Sequence, residues 1–222
     1  MPTLVFLLDV DNTLIDNDKV KEDFSTHLEV ELGPKLAARF WELYEAVRKE
    51  RSVVDIPLTF RRLREEIPLS ELDEQTFLHA ESIFDNYPFY NALYPHTLET
   101  LQHLRSMGLT VIVSDGDQFF QSEKIFRSDL AESVEGRVLI YTHKQQHLEE
   151  ILQKYPADHY VMIDDKPDIL VDSKALMGKK LTTVFVEQGH YAKQVPDNFS
   201  PDIHVLHIGD LRNFTMEQFL KS

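Results

Sequence analysis

The chain has 222 residues, of which 42% are hydrophobic and 10% aromatic, enough to bury a core in one domain or one domain with a modest insertion, so a disordered protein is excluded. Lys and Arg total 23 against 38 Asp and Glu, and the formal charge of -15 would repel a phosphate backbone, which argues against nucleic-acid polymers as partners. Cysteine is absent, which rules out disulfides, thiolate metal sites and a Cys nucleophile.

The chain begins Met1-Pro2-Thr3 and runs directly into Leu4-Val-Phe-Leu-Leu8, without the basic start or long apolar core of a signal peptide. No stretch reaches the roughly 18 apolar residues of a membrane span. A soluble cytoplasmic protein with no membrane association, monomeric or homodimeric, is the expectation. The run Leu4–Leu8 reads as a strand buried on both faces, ending in Asp9. From Ile15 to about Tyr90 the pattern turns helical, with segments near Lys19–Leu32, Pro34–Arg51, Pro57–Ile67 and Glu71–Tyr87, punctuated by Gly33-Pro34 and Pro68. Phe40, Leu43, Tyr44 and Val47 fall on one helical face, and Trp41 beside them reads as core.

After Tyr94-Pro95 helices and strands alternate. A helix is expected over Thr97–Met107, stopped by Gly108, then strands at Leu109–Val113, Val138–Tyr141, Tyr160–Ile163, Thr182–Val186 and Ile203–Ile208. Helices near Phe119–Ser128, Gln145–Tyr155 and Asp210–Leu220 complete the pattern. This alternation predicts a parallel α/β sheet. The helical stretch after the first strand is too long for a simple crossover, so residues 15–92 read as an inserted helical subdomain in an α/β core formed by 1–14 and 93–222.

Three polar clusters each follow a predicted strand: Asp9-Val-Asp11-Asn-Thr13, Ser114-Asp115-Gly116-Asp117 and Asp164-Asp165-Lys166-Pro167-Asp168. In open parallel sheets the carboxyl ends of the strands line the ligand crevice. Carboxylates gathered there repel one another unless a cation neutralises them, and Mg²⁺ prefers hard oxygen ligands of this kind.

The pattern Asp9-x-Asp11-x-Thr13-Leu14 resembles the first motif of the haloacid dehalogenase (HAD) superfamily, and the later motifs follow in order: Ser114 as the second-motif hydroxyl, Lys144 as the third-motif lysine, Asp164-Asp165 with Asp168 as the acidic fourth motif. The resemblance spans nearly the whole chain. It implies a Rossmann-like (HAD-like) core whose first strand is central, flanked by the strands bearing Ser114 and Asp164-Asp165, with the helical insertion as a cap over the crevice. It also implies a Mg²⁺-dependent phosphatase acting on a small phosphorylated metabolite. Asp9 would attack phosphorus, and Asp11, holding a proton in a partly desolvated position, would protonate the leaving oxygen and later activate water. Mg²⁺ would be held by the Asp9 carboxylate, the Asp11 backbone carbonyl and Asp165, with Asp164 reaching it through water. Thr13, Ser114, Asp115 and Lys144 would surround the phosphoryl oxygens.

Several residues keep two readings at this level. Lys124, Lys154 and Lys166 are alternatives to Lys144, which is favoured because it follows a strand and opens a helix. Asp117 either caps the helix near Phe119 or selects substrate or binds a cation; Asp168 either faces the metal or caps a helix. Glu187, Gln188 and His190 either contact substrate or sit in a solvated Gly-containing turn, and His143 and His147 are given no metal role. Arg48, Arg51, Arg61, Arg62 and Arg64 form a basic cluster in the cap that either is solvated or contacts a second anionic group. Other chemistries of the superfamily stay open as alternatives: phosphomutase activity, phosphonate cleavage through a cap lysine (Lys19, Lys21, Lys35 or Lys49) and dehalogenation, the last disfavoured by Asp11. A non-catalytic binding or regulatory role is the alternative from another class.

Overall fold

Leu4–Leu8, five apolar residues with both faces buried, form the central strand β1 in the computed structural model, which describes residues 3–220. Phe6 and its neighbours Leu4 and Leu8 point into one apolar cluster while Val5 and Leu7 point into another, so the two-residue period of the strand feeds a core on each side of the sheet. The other strands are β2 (Leu109–Asp115), β3 (Val138–Tyr141), β4 (His159–Asp164), β5 (Leu181–Val186) and β6 (Ile203–Val205). All pairings are parallel and the order is β3-β2-β1-β4-β5-β6. The chain thus lays β2 and β3 on one side of β1 and β4 to β6 on the other, which opens a crevice at the carboxyl end of β1 where the winding reverses.

Between β1 and β2 the chain forms α1 (Asn17–Arg51), α2 (Ile56–Glu66), α3 (Glu74–Asp85) and, rejoining the sheet, α4 (Thr97–Met107). The helix α1 is broken where the sequence predicts, at Gly33, whose φ of 75° and ψ of 162° are not helical, followed by Pro34. Lys21 and Phe24 of the first arm and Trp41 and Tyr44 of the second line one cavity, so the arms fold back on each other and α1 is a helical hairpin. Phe24 and Phe40, one from each arm, both pack on Phe84 of α3, at 4.2 and 5.5 Å between ring centres, and Phe60 of α2 joins them at 4.7 Å from Phe40. Trp41 is only partly buried: it packs against this cluster and also lines the cavity.

The crossovers after β2 are α5 (Gln118–Arg127) and α6 (Leu130–Ser133), then α7 (Leu148–Lys154) and α8 (Pro167–Met177), with α9 (Met216–Leu220) at the end. Two expectations are corrected near the C-terminus. The strand stops at Val205, not Ile208, because His207 and Asp210 form a reciprocal cap that starts a 3₁₀ turn over Ile208–Asn213. The helix expected over Asp210–Leu220 begins only at Met216, because Phe214 is extended and the Gln218 side chain accepts a hydrogen bond from Thr215 N. Among the described residues no helix is long and apolar enough to cross a membrane.

Candidate active site

The first acidic loop is shaped by its own backbone. Asp9 N continues the sheet by donating to Ile163 O (3.0 Å), after which Leu14 N and Ile15 N both return to Val10 O (2.9 and 3.0 Å). Asn12 takes the left-handed conformation (φ 62°), which an Asn tolerates better than most residues. Behind the turn, the buried Gln188 side chain donates to Thr13 O (3.1 Å) and accepts from Ile208 N (2.7 Å), holding the loop from the far side. Gln188 therefore neither reaches into the crevice nor lies in solvent. This loop leaves Asp9 buried, facing β4, and Asp11 on the cavity side.

Asp9, Asp164 and Asp165 are each buried and offer carboxylate oxygens all within 4.8 Å of one another. Burial, reinforced by Asp164, raises the Asp9 pKa against the counter-pull of Lys144. Asp165 is pushed up to about 9, by burial first and then by Asp164 and Asp9. Neither oxygen of Asp165 has a hydrogen-bond partner among the described residues. A buried carboxylate with two unfilled acceptors beside two others is costly without a cation, and this donor set suits Mg²⁺. Asp168 lies outside it, exposed in the first turn of α8, where its charge complements the helix N-terminus.

The four candidate lysines take separate places. Lys144, 1% exposed, ion-pairs directly with Asp9 and at 2.7 Å with Asp164, and those two acids outweigh burial to raise its pKa. Lys166 is partly buried over the Tyr191 ring, 5.3 Å from its centre, with its charge stabilised chiefly by Asp9. Lys154 lies exposed over Tyr155.

Lys124, almost fully buried, donates to Asp11 Oδ1 (2.7 Å) and to Asn17 Oδ1 (3.0 Å). Burial raises the Asp11 pKa, but Lys124 outweighs it and the net value is lowered. In this structure Asp11 is thus held ionised rather than protonated, a correction to the sequence expectation that follows from a buried cation 113 residues away in sequence. The spacing of Gln121, Lys124 and Ile125 on one face of α5 was the available signal that Lys124 turns inward.

Ser114 is buried and its Oγ accepts from Gln121 Nε2 (2.8 Å), while Gln121 also reaches Asp11 Oδ1 at 3.4 Å. Gln121 thus ties the second acidic cluster to the first, a role nothing in the linear spacing marks. The Asp115 carboxylate accepts the Lys144 backbone N–H (2.7 Å), which fixes the start of the lysine's turn. Asp117 is the cap of α5, accepting from Phe119 N and Phe120 N, both at 2.9 Å. Thr13 Oγ1 points at Asp9 Oδ2 (3.4 Å). Glu187 pairs with His204 at the surface, and His190 meets Asp18 of α1 (2.6 Å).

Alongside this cluster lies a cavity of about 220 Å³ between the helical hairpin and the sheet, bounded by Asp11, Gly116 and Lys166 on the sheet side and by Lys21, Trp41 and Arg48 on the hairpin side. Of the five arginines of the basic cluster only Arg48 lines it. Arg51 is near Asp55 (3.7 Å), Arg62 pairs with Glu50 (2.7 Å), Arg64 stacks over Phe77 (4.3 Å) and Arg61 is exposed.

A family model described as haloacid dehalogenase-like hydrolase matches residues 3–170. No curated protein matches the chain significantly. Among solved structures, a haloacid dehalogenase-like hydrolase from Burkholderia xenovorans LB400 is 44% identical, covers 97% of this chain and 98% of its own, and superposes with a TM-score of 0.86. The HAD-hydrolase YfnB from Bacillus subtilis, solved bound to magnesium, is 13% identical over the full length of both chains with a TM-score of 0.60. L-2-haloacid dehalogenase from Xanthobacter autotrophicus is 16% identical, covering 94% of this chain and 96% of its own, with a TM-score of 0.57. At these last two identities the likeness is one of fold. With the family model matching most of the chain and a close full-length relative in the same family, this protein belongs to the haloacid dehalogenase-like hydrolases.

Proposed function

We propose that this hydrolase cleaves a small phosphomonoester in a Mg²⁺-dependent reaction with Asp9 as nucleophile, and that residues 15–92 act as a cap over a core formed by 1–14 and 93–222. The observation that carries this reading is the buried trio Asp9, Asp164 and Asp165, with both Asp165 oxygens unpartnered among the described residues, and a further carboxylate at Asp11, two residues from Asp9. Asp9, Asp165 and the Asp11 backbone carbonyl would hold the Mg²⁺, with Asp164 one water away. Bound there, the ion would offset charge on the transferring phosphoryl group.

Asp9 would form a bond to phosphorus as the leaving oxygen departs, giving an aspartyl-phosphate that water then hydrolyses. Lys144 would hold the phosphoryl oxygens against Asp9, with Ser114 and Thr13 as hydroxyl donors on either side. Asp11 Oδ1 is occupied by Lys124 and Gln121, which leaves Oδ2 to face the leaving group, with the Lys124 ammonium as the adjacent source of a proton. That carboxylate is also what distinguishes the reading from dehalogenation, since a departing halide needs no proton and an alkoxide does.

The test is hydrolysis of para-nitrophenyl phosphate with and without Mg²⁺ by the native chain, Asp9→Asn and Asp11→Asn. Turnover that requires the metal, vanishes in Asp9→Asn and falls by roughly 10²–10⁴ in Asp11→Asn is expected. Metal-independent release of halide from a 2-haloacid, with no phosphate release, would replace the proposal with dehalogenation.

A further inference from the structure

The cavity has two ends of opposite character. On the sheet side every acidic group that lines it is already engaged: Asp11 by Lys124, Asp115 by the Lys144 backbone, Asp117 by two backbone N–H groups of α5. On the hairpin side two cations face the same space without equivalent partners. Lys21, partly buried, has no hydrogen bond or ion pair among the described residues. Among the described residues Arg48 pairs only with Glu45, through Nε at 3.2 Å, in a solvent-exposed pair one helical turn apart that contributes little.

These two cations repel each other: Lys21 loses charge stabilisation to burial first and to Arg48 second, and Asp11, Glu45 and Asp18 offset only part of that loss. In a chain of net charge -15, with acids plentiful on the same helices, a desolvated lysine left unpaired beside an arginine is an arrangement that an incoming anion stabilises. Trp41 also lines this wall of the cavity.

We propose that Lys21 and Arg48 form a second anion subsite, so that the substrate is a compact phosphomonoester carrying a second acidic group. This inference deepens the phosphatase reading and rests on it for the word substrate. The reacting phosphate would sit at the sheet end, where Asp11, two residues from Asp9, lines the cavity, and the second acid would reach the hairpin wall, with Tyr44 and Phe84 also lining the space. Binding energy gathered at that remote acid is available to orient the ester at Asp9. The cavity, at about 220 Å³, falls below the roughly 300–1,000 Å³ of pockets for drug-sized ligands, which favours a short carbon skeleton over a nucleotide.

Calorimetric titration with non-hydrolysable probes tests the subsite without relying on turnover. With Mg²⁺ present, propylphosphonate, 2-carboxyethylphosphonate and ethylene-1,2-bisphosphonate are compared on the native chain, Lys21→Gln and Arg48→Gln. The native chain should bind at least one doubly acidic probe tenfold or more tightly than propylphosphonate, and whether the carboxylate or the second phosphonate gains more identifies the acid. Each variant should bring that ratio close to one, and Lys21→Arg should retain most of it. Equal affinity for all three probes, no binding by any, or a ratio the variants leave intact would overturn the proposal. Loss of the para-nitrophenyl phosphatase activity from the native chain would count against the phosphatase reading alone, because the probe ratio is read at equilibrium.

Discussion

Replacing Asp165 by Asn should stabilise the metal-free protein. The Asp165 carboxyl is buried, its two oxygens lack partners among the described residues, and its pKa is raised from 3.8 to about 9 by burial and by Asp164 and Asp9. Between those two values the folded state keeps a proton that the unfolded state has released, so stability falls as pH rises from about 4 to about 9, and the cost is absent below the lower value. At pH 7 the gap of about three pH units corresponds to a ceiling of about 4 kcal/mol, which water penetration and relaxation around the cluster reduce toward about 2 kcal/mol.

Asn removes the ionisable group while keeping its shape. For a chain of this size a gain of about 2–4 kcal/mol corresponds to a rise in Tm of roughly 4–16 °C. Thermal melts in EDTA at pH 7 and pH 8.5 measure it: the native chain should melt lower at pH 8.5, and the variant should melt higher than the native chain at both. Mg²⁺ at about a hundred times its Kd should then return about 3 kcal/mol to the native chain and little to Asp165→Asn. A variant that melts below the native chain in EDTA, or that gains as much from Mg²⁺, would refute the reasoning.

Two further outcomes follow from the same loops. Lys144→Met leaves Asp9 and Asp164 buried without their shared cation, so the urea midpoint should fall by the equivalent of about 3–5 kcal/mol, with part of the loss recovered on adding Mg²⁺. Gly189 has φ +69°, and a Cβ there would overlap the Asn12 side chain, so Gly189→Ala should lower kcat/KM for para-nitrophenyl phosphate at least tenfold while shifting the urea midpoint by only about 1–3 kcal/mol.

Much of this was legible in the linear sequence because the relevant signals are local. The all-apolar run ending at Asp9 specifies a doubly buried strand, and the Gly33-Pro34 break in α1 follows from backbone sterics alone. Lys144 could be favoured because it follows β3 and opens the next helical turn. The pairing of Asp11 with Lys124, the stapling of Thr13 by Gln188 and the convergence of Lys21 with Arg48 were not legible, because each depends on how a helix or loop is rotated against a partner far away in the chain. The shortened last strand has a different cause: apolar residues at 205, 206 and 208 look continuous, but a side-chain cap at His207 and Asp210 redirects the backbone between them.

The break in α1 has a practical consequence. Gly33 sits at the tip of the helical hairpin, and a Cβ there would meet nothing within 4 Å. Val30, at 81% exposed, and Pro34 and Lys35 also face outward near the tip. Since the cavity walls lie on the inner turns of both arms, the tip is a place where length can vary without disturbing what the arms enclose. A reporter group or a short loop grafted there would ride on the hairpin, turning any movement of the helices relative to the sheet into an optical signal.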